Sequence, residues 1–170
     1  DLKSDVTEME LMIDGYLAFA RGEGDEIAEP VEISAFVETV VTDWKRNGIA
    51  IDCHVEGKFE LPIKREALRR CLNNLIANAC RHGEHVWALT GKRQGMIEIT
   101  IDDDGPGIPE ADRVDVFRPF HRLDQSRNPK TGGTGLGLAI AEDIVRAHGG
   151  DISLTDSPRG GLRARLRIPQ

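Results

Sequence analysis

The feature that most constrains this chain is a glycine-rich segment that leads directly into a helical pattern. Thr131–Leu138 reads TGGTGLGL, with four glycines in six positions, and the apolar spacing from Ala139 to His148 predicts a helix. Glycine lets neighbouring backbone N–H groups point the same way, and a helix N-terminus adds free N–H groups and a positive dipole end. The segment therefore predicts a phosphate site, although a glycine cluster on its own is more often a loop before a helix cap.

Charge and hydropathy limit what else the chain can bind. It has 170 residues and a net charge of −7, which suits one globular domain with a small appendage and lacks the basic face of a nucleic-acid binder. The sequence contains no apolar run as long as a membrane span and no signal-peptide pattern. We expect no contact of this chain with nucleic acid or membrane, so an anionic ligand must be held by local donors.

A heptad seam marks the N-terminal part of the chain. Its apolar residues alternate at spacings of four and three positions and are Leu2, Val6, Met9, Ile13, Tyr16 and Ala20. They predict a helix to about Arg21 that packs on a partner, either a second copy, another helix or the chain's own globular body. Gly22–Asp25 then breaks the helix. We expect a helical segment at 1–22, a linker at 23–30 and the main domain at 31–170.

Strand and helix patterns are mixed along that main domain. Strands are predicted at Val31–Ile33, Ile49–Val55, Lys58–Ile63, His85–Lys92, Met96–Ile101, Asp151–Thr155 and Leu162–Ile168. The second and third of these read as a pair of strands, and Ser34 is the expected N-cap of a helix that ends at Asn47–Gly48. The fold class is α/β (α+β), a two-layer sandwich in which an open sheet carries helices on one face.

The strongest helical period lies at Arg65–His82. Its buried face is predicted to be Leu68, Cys71, Leu72, Leu75, Ile76 and Ala79. At 100° per residue, a polar flank beside this face gathers Asn74, Asn78, Arg81 and His82. Neighbouring Asn73 is expected to face solvent.

A carboxylate at the end of a strand can recognise the amino group of adenine. Asp103 follows such a strand, and Gly105 and Gly107 allow a ring to approach the backbone, although Asp-Gly-Pro-Gly by itself is usually a turn. A triphosphate also needs Mg²⁺, which takes few protein ligands. Asn78 offers an amide oxygen, and Arg81, about one helical turn further on, can pair with phosphate.

Four ordered motifs resemble those of one known family. They are Asn74-x-x-x-Asn78-Ala-x-Arg81-His82, Asp103-x-Gly-x-Gly107, Phe117-x-Pro-Phe120 and Gly133-Thr-Gly-Leu-Gly137. In order and spacing they resemble the N, G1, F and G2 boxes of bacterial sensor histidine kinases. The resemblance implies a Bergerat-type ATP-binding fold with a mixed, mostly antiparallel sheet, ATP with Mg²⁺ under a mobile lid at about 110–132, and an N-terminal helix like the second helix of the dimerisation and phosphoacceptor domain.

The resemblance also implies roles for individual residues. Asn78 is the expected Mg²⁺ ligand, and Asn74 and Arg122 are assigned to the catalytic step. The expected ATP contacts are Asn78, Arg81, His82, Asp103, Gly105, Gly107, Ile108, Phe120, Arg122, Leu123, Gly133, Thr134, Gly135, Leu136, Gly137 and Leu138. The last glycine pair, Gly160–Gly161, lacks a following threonine and is assigned no contact.

The family's acceptor motif is absent from the sequence. None of the five histidines stands in a His-Glu/Asp-x-Arg-x-Pro setting, so the expected acceptor is a histidine on a helical bundle outside this sequence. The expected activity is protein-histidine kinase on the cytoplasmic side, within a homodimer that passes phosphate to a response regulator. Related clamp ATPases carry a water-activating glutamate where Asn74 stands, which disfavours hydrolysis. An anti-sigma-type serine kinase and a nucleotide-sensing module remain as alternatives.

Overall fold

The N-terminal seam is exposed in the computed structural model. The model describes residues 2–3, 5–6, 9–10, 13, 16–17, 20, 26–123 and 135–170. Every described residue up to position 20 is helical, and Leu2, Met9 and Ile13 are 83%, 60% and 55% exposed. The described residues of the seam therefore do not pack on the globular body of the chain.

The main domain is built on a five-stranded sheet. In chain order the strands are β1 Glu29–Glu32, β2 Ile51–Val55, β3 Glu60–Ile63, β4 Val86–Arg93, β5 Met96–Asp103, β6 Asp151–Asp156 and β7 Leu162–Pro169. The sheet order is β2-β4-β5-β7-β6, in which only the β2–β4 pair is parallel. A mixed, mostly antiparallel sheet is confirmed.

β2 and β3 are both strands, but they do not pair with each other. β2 runs parallel to β4 in the main sheet, whereas β3 pairs antiparallel with β1 in a separate two-stranded sheet. The expectation of a paired couple is therefore wrong. Local alternation of apolar and polar residues identifies a strand but carries no information on its partner.

Three α-helices cover one face of the main sheet. They are α1 Ile33–Arg46, α2 Arg65–His82 and α3 Gly137–Ala147. Along β7 the side chains alternate: Leu162, Ala164 and Leu166 are buried in the core with the helices, while the intervening arginines lie on the open face. The helix α2 has the predicted bounds and buries every predicted core residue. None of the helices in the described part of the chain is long and apolar enough to cross a membrane.

The N-terminus of α1 is capped by Glu32 and not by Ser34. The Glu32 carboxylate accepts hydrogen bonds from the backbone N–H groups of Ser34 and Ala35 at 3.0 and 2.9 Å. Ser34 is already inside the helix and buried, and its hydroxyl donates to the carbonyl of Gly57 at 2.6 Å. The helix starts two residues earlier than expected because Glu32 supplies a cap that the usual preference for serine does not reveal.

Asn73 also departs from expectation. Its side-chain oxygen accepts a hydrogen bond of 2.9 Å from the indole N–H of Trp44, and the residue is half-buried. Asn73 therefore joins α2 to α1 and is not a solvent residue. A tryptophan N–H that leaves water needs an acceptor, and the neighbouring helix provides it here.

Replacing Asn73 should destabilise the domain without touching the nucleotide site. Asn73→Ala leaves the Trp44 indole N–H without its acceptor, so we expect the free energy of unfolding in urea to fall by about 1–2 kcal/mol. Trp44→Phe removes the donor, and a double-mutant cycle should return a coupling of about 1 kcal/mol. Additive effects of the two substitutions would contradict the pairing.

Candidate functional site

Three consecutive aspartates at the end of β5 have different surroundings. Asp102 lies on the open face of the sheet, where Arg163 donates two hydrogen bonds of 2.7 Å to its carboxylate. Asp104 accepts a bond of 3.1 Å from the backbone N–H of His85, and this bond lowers the pKa of the exposed carboxyl. Only Asp103 is buried on the side of the sheet that carries the helices, with 3% of its surface exposed.

Backbone donors hold the buried Asp103 carboxylate. Its Oδ1 accepts hydrogen bonds from the N–H groups of Gly105 at 2.9 Å and Leu162 at 3.2 Å. Burial raises the pKa of Asp103, and these two bonds and the nearby His82 oppose that rise. The site therefore presents an acidic side chain in fixed orientation, as recognition of a purine amino group requires.

Gly161 is a site residue that the sequence analysis missed. Its N–H donates to the backbone carbonyl of Asp103 at 3.1 Å, and a Cβ at this position would collide with the Asp103 carboxylate. Gly107 lies against the same turn, with its Cβ direction 3.5 Å from the Gly161 carbonyl oxygen. The adjacent glycines at 160 and 161, at a turn between two strands, were the available signal for this close approach.

Helix α2 supplies the polar flank of the site. The side-chain nitrogen of Asn74 lies 3.4 Å from the carbonyl oxygen of Gly137, so α2 meets the first residue of α3 there. Asn78 is half-buried one turn further on, and Arg81 and His82 are exposed at the C-terminal end of the helix. The predicted flank therefore exists, and it runs from the glycine segment toward Asp103.

The positive charges of Arg81 and Arg122 interact beside this flank. Partial burial lowers the pKa of Arg81, and the positive charge of Arg122 lowers it further. Arg122 is half-buried and comes from the loop after the F box. Two cations held near each other repel unless an anion lies between them, so this part of the site is suited to phosphate.

The glycine segment meets the F box through backbone contacts. The N–H of Phe120 donates to the carbonyl of Gly135 at 2.9 Å, and both residues have positive φ, 64° and 74°. A Cβ on Gly135 would lie 2.9 Å from the Phe120 backbone, so only glycine fits there. The two boxes are thus brought together, while the Phe120 side chain is 52% exposed.

The remaining predicted contacts divide into core, surface and undescribed residues. Leu136 is buried in the core, and Ile108 and Leu138 are half-buried against it, so their side chains pack within the domain. The side chain of Leu123 is 42% exposed. Gly133 and Thr134 lie outside the described residues, as does the predicted lid after position 123. The described part of the lid contains two short 3-10 helices, Glu110–Asp112 and Asp115–Phe117.

Helix α2 connects the two ends of the candidate site. Asn74 touches the start of α3 at one end, and at the other end the backbone of His82 packs against Gly105, in the turn that follows Asp103. Asn78 lies four residues from each, which is about 6 Å along the helix axis. An acidic group, an amide, two cations and a glycine turn therefore line one side of the domain, which fits a purine nucleotide with a phosphate chain.

Comparison with known proteins identifies the class to which this fold and site belong. Residues 63–170 match the family model of histidine kinase-, DNA gyrase B- and HSP90-like ATPases. The match spans more than half of the chain, and the chain belongs to this family. The crystal structure of the ATP-binding domain of PrrB from Mycobacterium tuberculosis is similar, with a TM-score of 0.71 and 30% identity over 85% of this chain and 98% of that chain.

Curated relatives narrow the class to the sensor histidine kinases. The chain is 33% identical over 98% of its length to the sensor histidine kinase GtrS of Pseudomonas aeruginosa, and 45% identical over 66% to the sensor histidine kinase CpxA of Escherichia coli strain K12. It carries an ATP-binding catalytic domain of the sensor histidine kinase type. The matches span 34% of GtrS and 25% of CpxA, so the chain corresponds to a part of each relative.

A methyl group at position 161 should disrupt nucleotide binding. In Gly161→Ala the new Cβ forces the Asp103 carboxylate to move, so we expect the affinity for ADP in calorimetry to fall at least about tenfold. Gly91→Ala is a matched control, because a Cβ there meets only the flexible ends of Glu56 and Arg93. Equal affinities for Gly161→Ala and wild type would show that the turn at Gly160 and Gly161 is not part of the nucleotide site.

The Asp103 carboxyl should lower stability at neutral pH. Burial raises the pKa of Asp103 in the folded state, so folding favours the protonated carboxyl. The stabilisation is complete below the unfolded pKa, about 3.9, and is lost as the pH rises through the folded pKa and the group ionises. Asp103→Asn keeps an acceptor oxygen and never ionises. We expect urea unfolding at pH 7 to show a more stable variant that has lost nucleotide affinity, and the stability difference to shrink toward pH 4. A variant less stable than wild type at pH 7 would contradict this reasoning.

Proposed function

We propose that the chain donates the γ-phosphate of ATP to a histidine on a helical bundle outside this sequence, as the catalytic part of a sensor histidine kinase. The arrangement that carries the proposal is the position of Asn78 between Asn74, at the start of α3, and His82, beside the buried Asp103. This arrangement places groups suited to base recognition and groups suited to phosphate binding on the same flank of α2.

Each end of the nucleotide has a chemically suitable group. Asp103 accepts from the adenine amino group, and the ring approaches the backbone of the turn at Gly105 and Gly107. Gly105 itself packs against α2, since a Cβ there would lie 2.4 Å from the His82 carbonyl oxygen. The Arg81 and Arg122 guanidinium groups neutralise phosphate oxygens, which relieves the repulsion that lowers the pKa of Arg81. The backbone from Gly133 to Leu138 binds the phosphate chain ahead of α3.

The site also suits a magnesium ion carried in by the nucleotide. Among the described residues no group of three His, Cys, Asp or Glu side chains could hold a metal by itself. Mg²⁺ instead takes one or two protein oxygens together with phosphate oxygens and water, and the half-buried amide of Asn78 supplies such an oxygen. The bound ion would neutralise charge on the transferred phosphoryl group.

Transfer to an incoming nucleophile is favoured over hydrolysis. Asn74 is an amide whose side-chain nitrogen faces the Gly137 carbonyl, so it cannot take a proton from water. Asn74 keeps its proposed place in the transfer step, and its contact with Gly137 holds α2 against α3 there. An imidazole nitrogen of the acceptor histidine forms a bond to the γ-phosphorus, the bond from that phosphorus to the β–γ bridging oxygen breaks, and ADP leaves. Arg122 stabilises the charge on the phosphates or contacts the acceptor domain.

The expected organisation of the chain completes the proposal. Residues 1–22 form one helix of the dimerisation and phosphoacceptor hairpin, 23–30 are the linker, and 31–170 are the catalytic domain with its lid at about 110–132. The exposed seam on the N-terminal helix supports a partner helix. In the full-length protein this bundle forms a homodimer on the cytoplasmic side and passes phosphate to a response regulator.

A transfer assay tests the proposal directly. The chain is mixed with ATP, Mg²⁺ and a separate dimeric bundle that carries the acceptor histidine. We expect acid-labile phosphate on the bundle and little release of free phosphate from the chain alone. Free phosphate without labelling of the bundle would instead indicate an ATPase, and bound nucleotide with neither product would indicate a sensing module.

Variants of the two neighbouring asparagines separate metal binding from general damage. Asn78→Ala should reduce transfer at least about a hundredfold, while its affinity for ADP without Mg²⁺ should change less than its affinity for the Mg²⁺ complex. Asn73→Ala should transfer phosphate at the wild-type rate under conditions in which it is folded. An equal loss of both affinities in Asn78→Ala would argue against its role as a metal ligand.

A further inference from the structure

Helix α2 obtains its N-terminal cap from outside the segment that matches the family model. The family match begins at residue 63, and Lys64, the residue that precedes α2, makes no side-chain cap bond. Instead, the carboxylate of Glu26 accepts hydrogen bonds from the N–H groups of Glu66 at 2.7 Å and Ala67 at 3.0 Å. These are backbone donors of the first helical turn, which have no partner within the helix.

The same end of α2 is tied to the far end of α3. The backbone N–H of Lys64 donates to Nε2 of His148 at 3.1 Å, and Nδ1 of His148 lies 2.7 Å from the Ile144 carbonyl oxygen in α3. A neutral ring that donates from Nδ1 and accepts at Nε2 satisfies both contacts. Among the described residues, hydrogen bonds therefore join α2 to α3 at three places: here, at the Cys71 thiol, which lies 3.8 Å from the Ala141 carbonyl oxygen, and where Asn74 meets Gly137 at the site.

We propose that Glu26 is a positioning residue of the nucleotide site, acting through the first turn of α2. This inference rests on the proposed function of that site. When Glu26 caps the turn, Lys64 stays in place to hold His148, and the two helices keep the spacing that sets Asn74 against Gly137. When the cap is lost, the first turn frays and the distal tie loosens. The Asn74–Gly137 contact, already long at 3.4 Å, is then the first to be lost.

The strength of the contact suits this role. A carboxylate at a helix N-terminus shifts the equilibrium of the first turn by about fivefold, which is large enough to change an affinity and small enough to be reversed. Glu26 also lies three residues before β1, in the segment that joins the N-terminal helix to the main domain. A movement of that segment would therefore change the cap and, through α2, the nucleotide affinity.

Glu29, the first residue of β1, provides a matched control three positions further along the chain. Its carboxylate pairs with the Arg65 side chain at 2.8 Å, but both side chains are largely exposed, at 56% and 42%. Glu29→Gln removes the same charge as Glu26→Gln and leaves the helix cap intact. A general effect of acidic charge on nucleotide binding would appear equally in both variants.

The test measures nucleotide affinity by calorimetry well below the unfolding temperature. We expect Glu26→Gln to weaken ADP binding about three- to fivefold and Glu29→Gln to change it by less than about twofold. A lower unfolding temperature with unchanged affinity would overturn the proposal, because it would make Glu26 only a stabilising cap. Equal weakening by the two variants would overturn it as well.

Hydrogen exchange in the wild-type chain gives a second readout that needs no variant. Coupling between two sites is reciprocal, so bound nucleotide should slow exchange at the Glu66 and Ala67 amides by the same factor of about three to five. Unchanged exchange on saturation with ADP would contradict the coupling. Failure of the wild-type chain to bind nucleotide would refute the proposed function itself. Binding with the same affinity in wild type and Glu26→Gln would refute only the role of Glu26.

Discussion

The burial of one carboxylate between two turns is the constraint on which the rest of the structure depends. Asp103 leaves water at the end of β5, which is costly, and two backbone N–H groups on Oδ1 offset that cost. This requires the turn after β5 and the turn before β7 to approach closely, which glycine at 161 permits. This environment opposes ionisation of the carboxyl and fixes its orientation, so Asp103 costs stability at the position where the proposed site requires an acceptor for the base.

Helix α2 places the other polar groups of the candidate site at fixed distances from one another. One flank of a single helix carries Asn74, Asn78 and Arg81. Asn74 meets the start of α3, Arg81 lies within the electrostatic influence of Arg122, and the half-buried Asn78 lies between them along the helix. Because the rise per residue is fixed, the spacing of these residues in the sequence sets the spacing of the groups in space. A phosphate chain and its metal need such fixed spacing, because phosphoryl transfer depends chiefly on positioning and charge neutralisation.

Much of this could be predicted from the sequence, because its strongest signals are local. The bounds of α2 and its buried face follow from helical period alone, and the glycine segment and Asp103 stand at element ends where the pattern changes. Contacts between distant parts of the chain could not be predicted in this way. The bond between Asn73 and Trp44 and the Glu26 cap join residues 29 and 40 or more positions apart, and no local pattern reveals them. The placement of β2 and β3 in separate sheets could not be predicted for the same reason, because strand pairing is also a contact between distant parts of the chain.

The central claim is that groups near positions 78, 103 and 135 bind one nucleotide together. Its most direct test is an amide NMR titration of the chain with a non-hydrolysable ATP analogue and Mg²⁺. We predict that the amides of residues 78–82, 103–107 and 135–138 shift along the same saturation curve, with one shared dissociation constant. Shifts confined to one of the three segments, or three curves with different midpoints, would contradict the account.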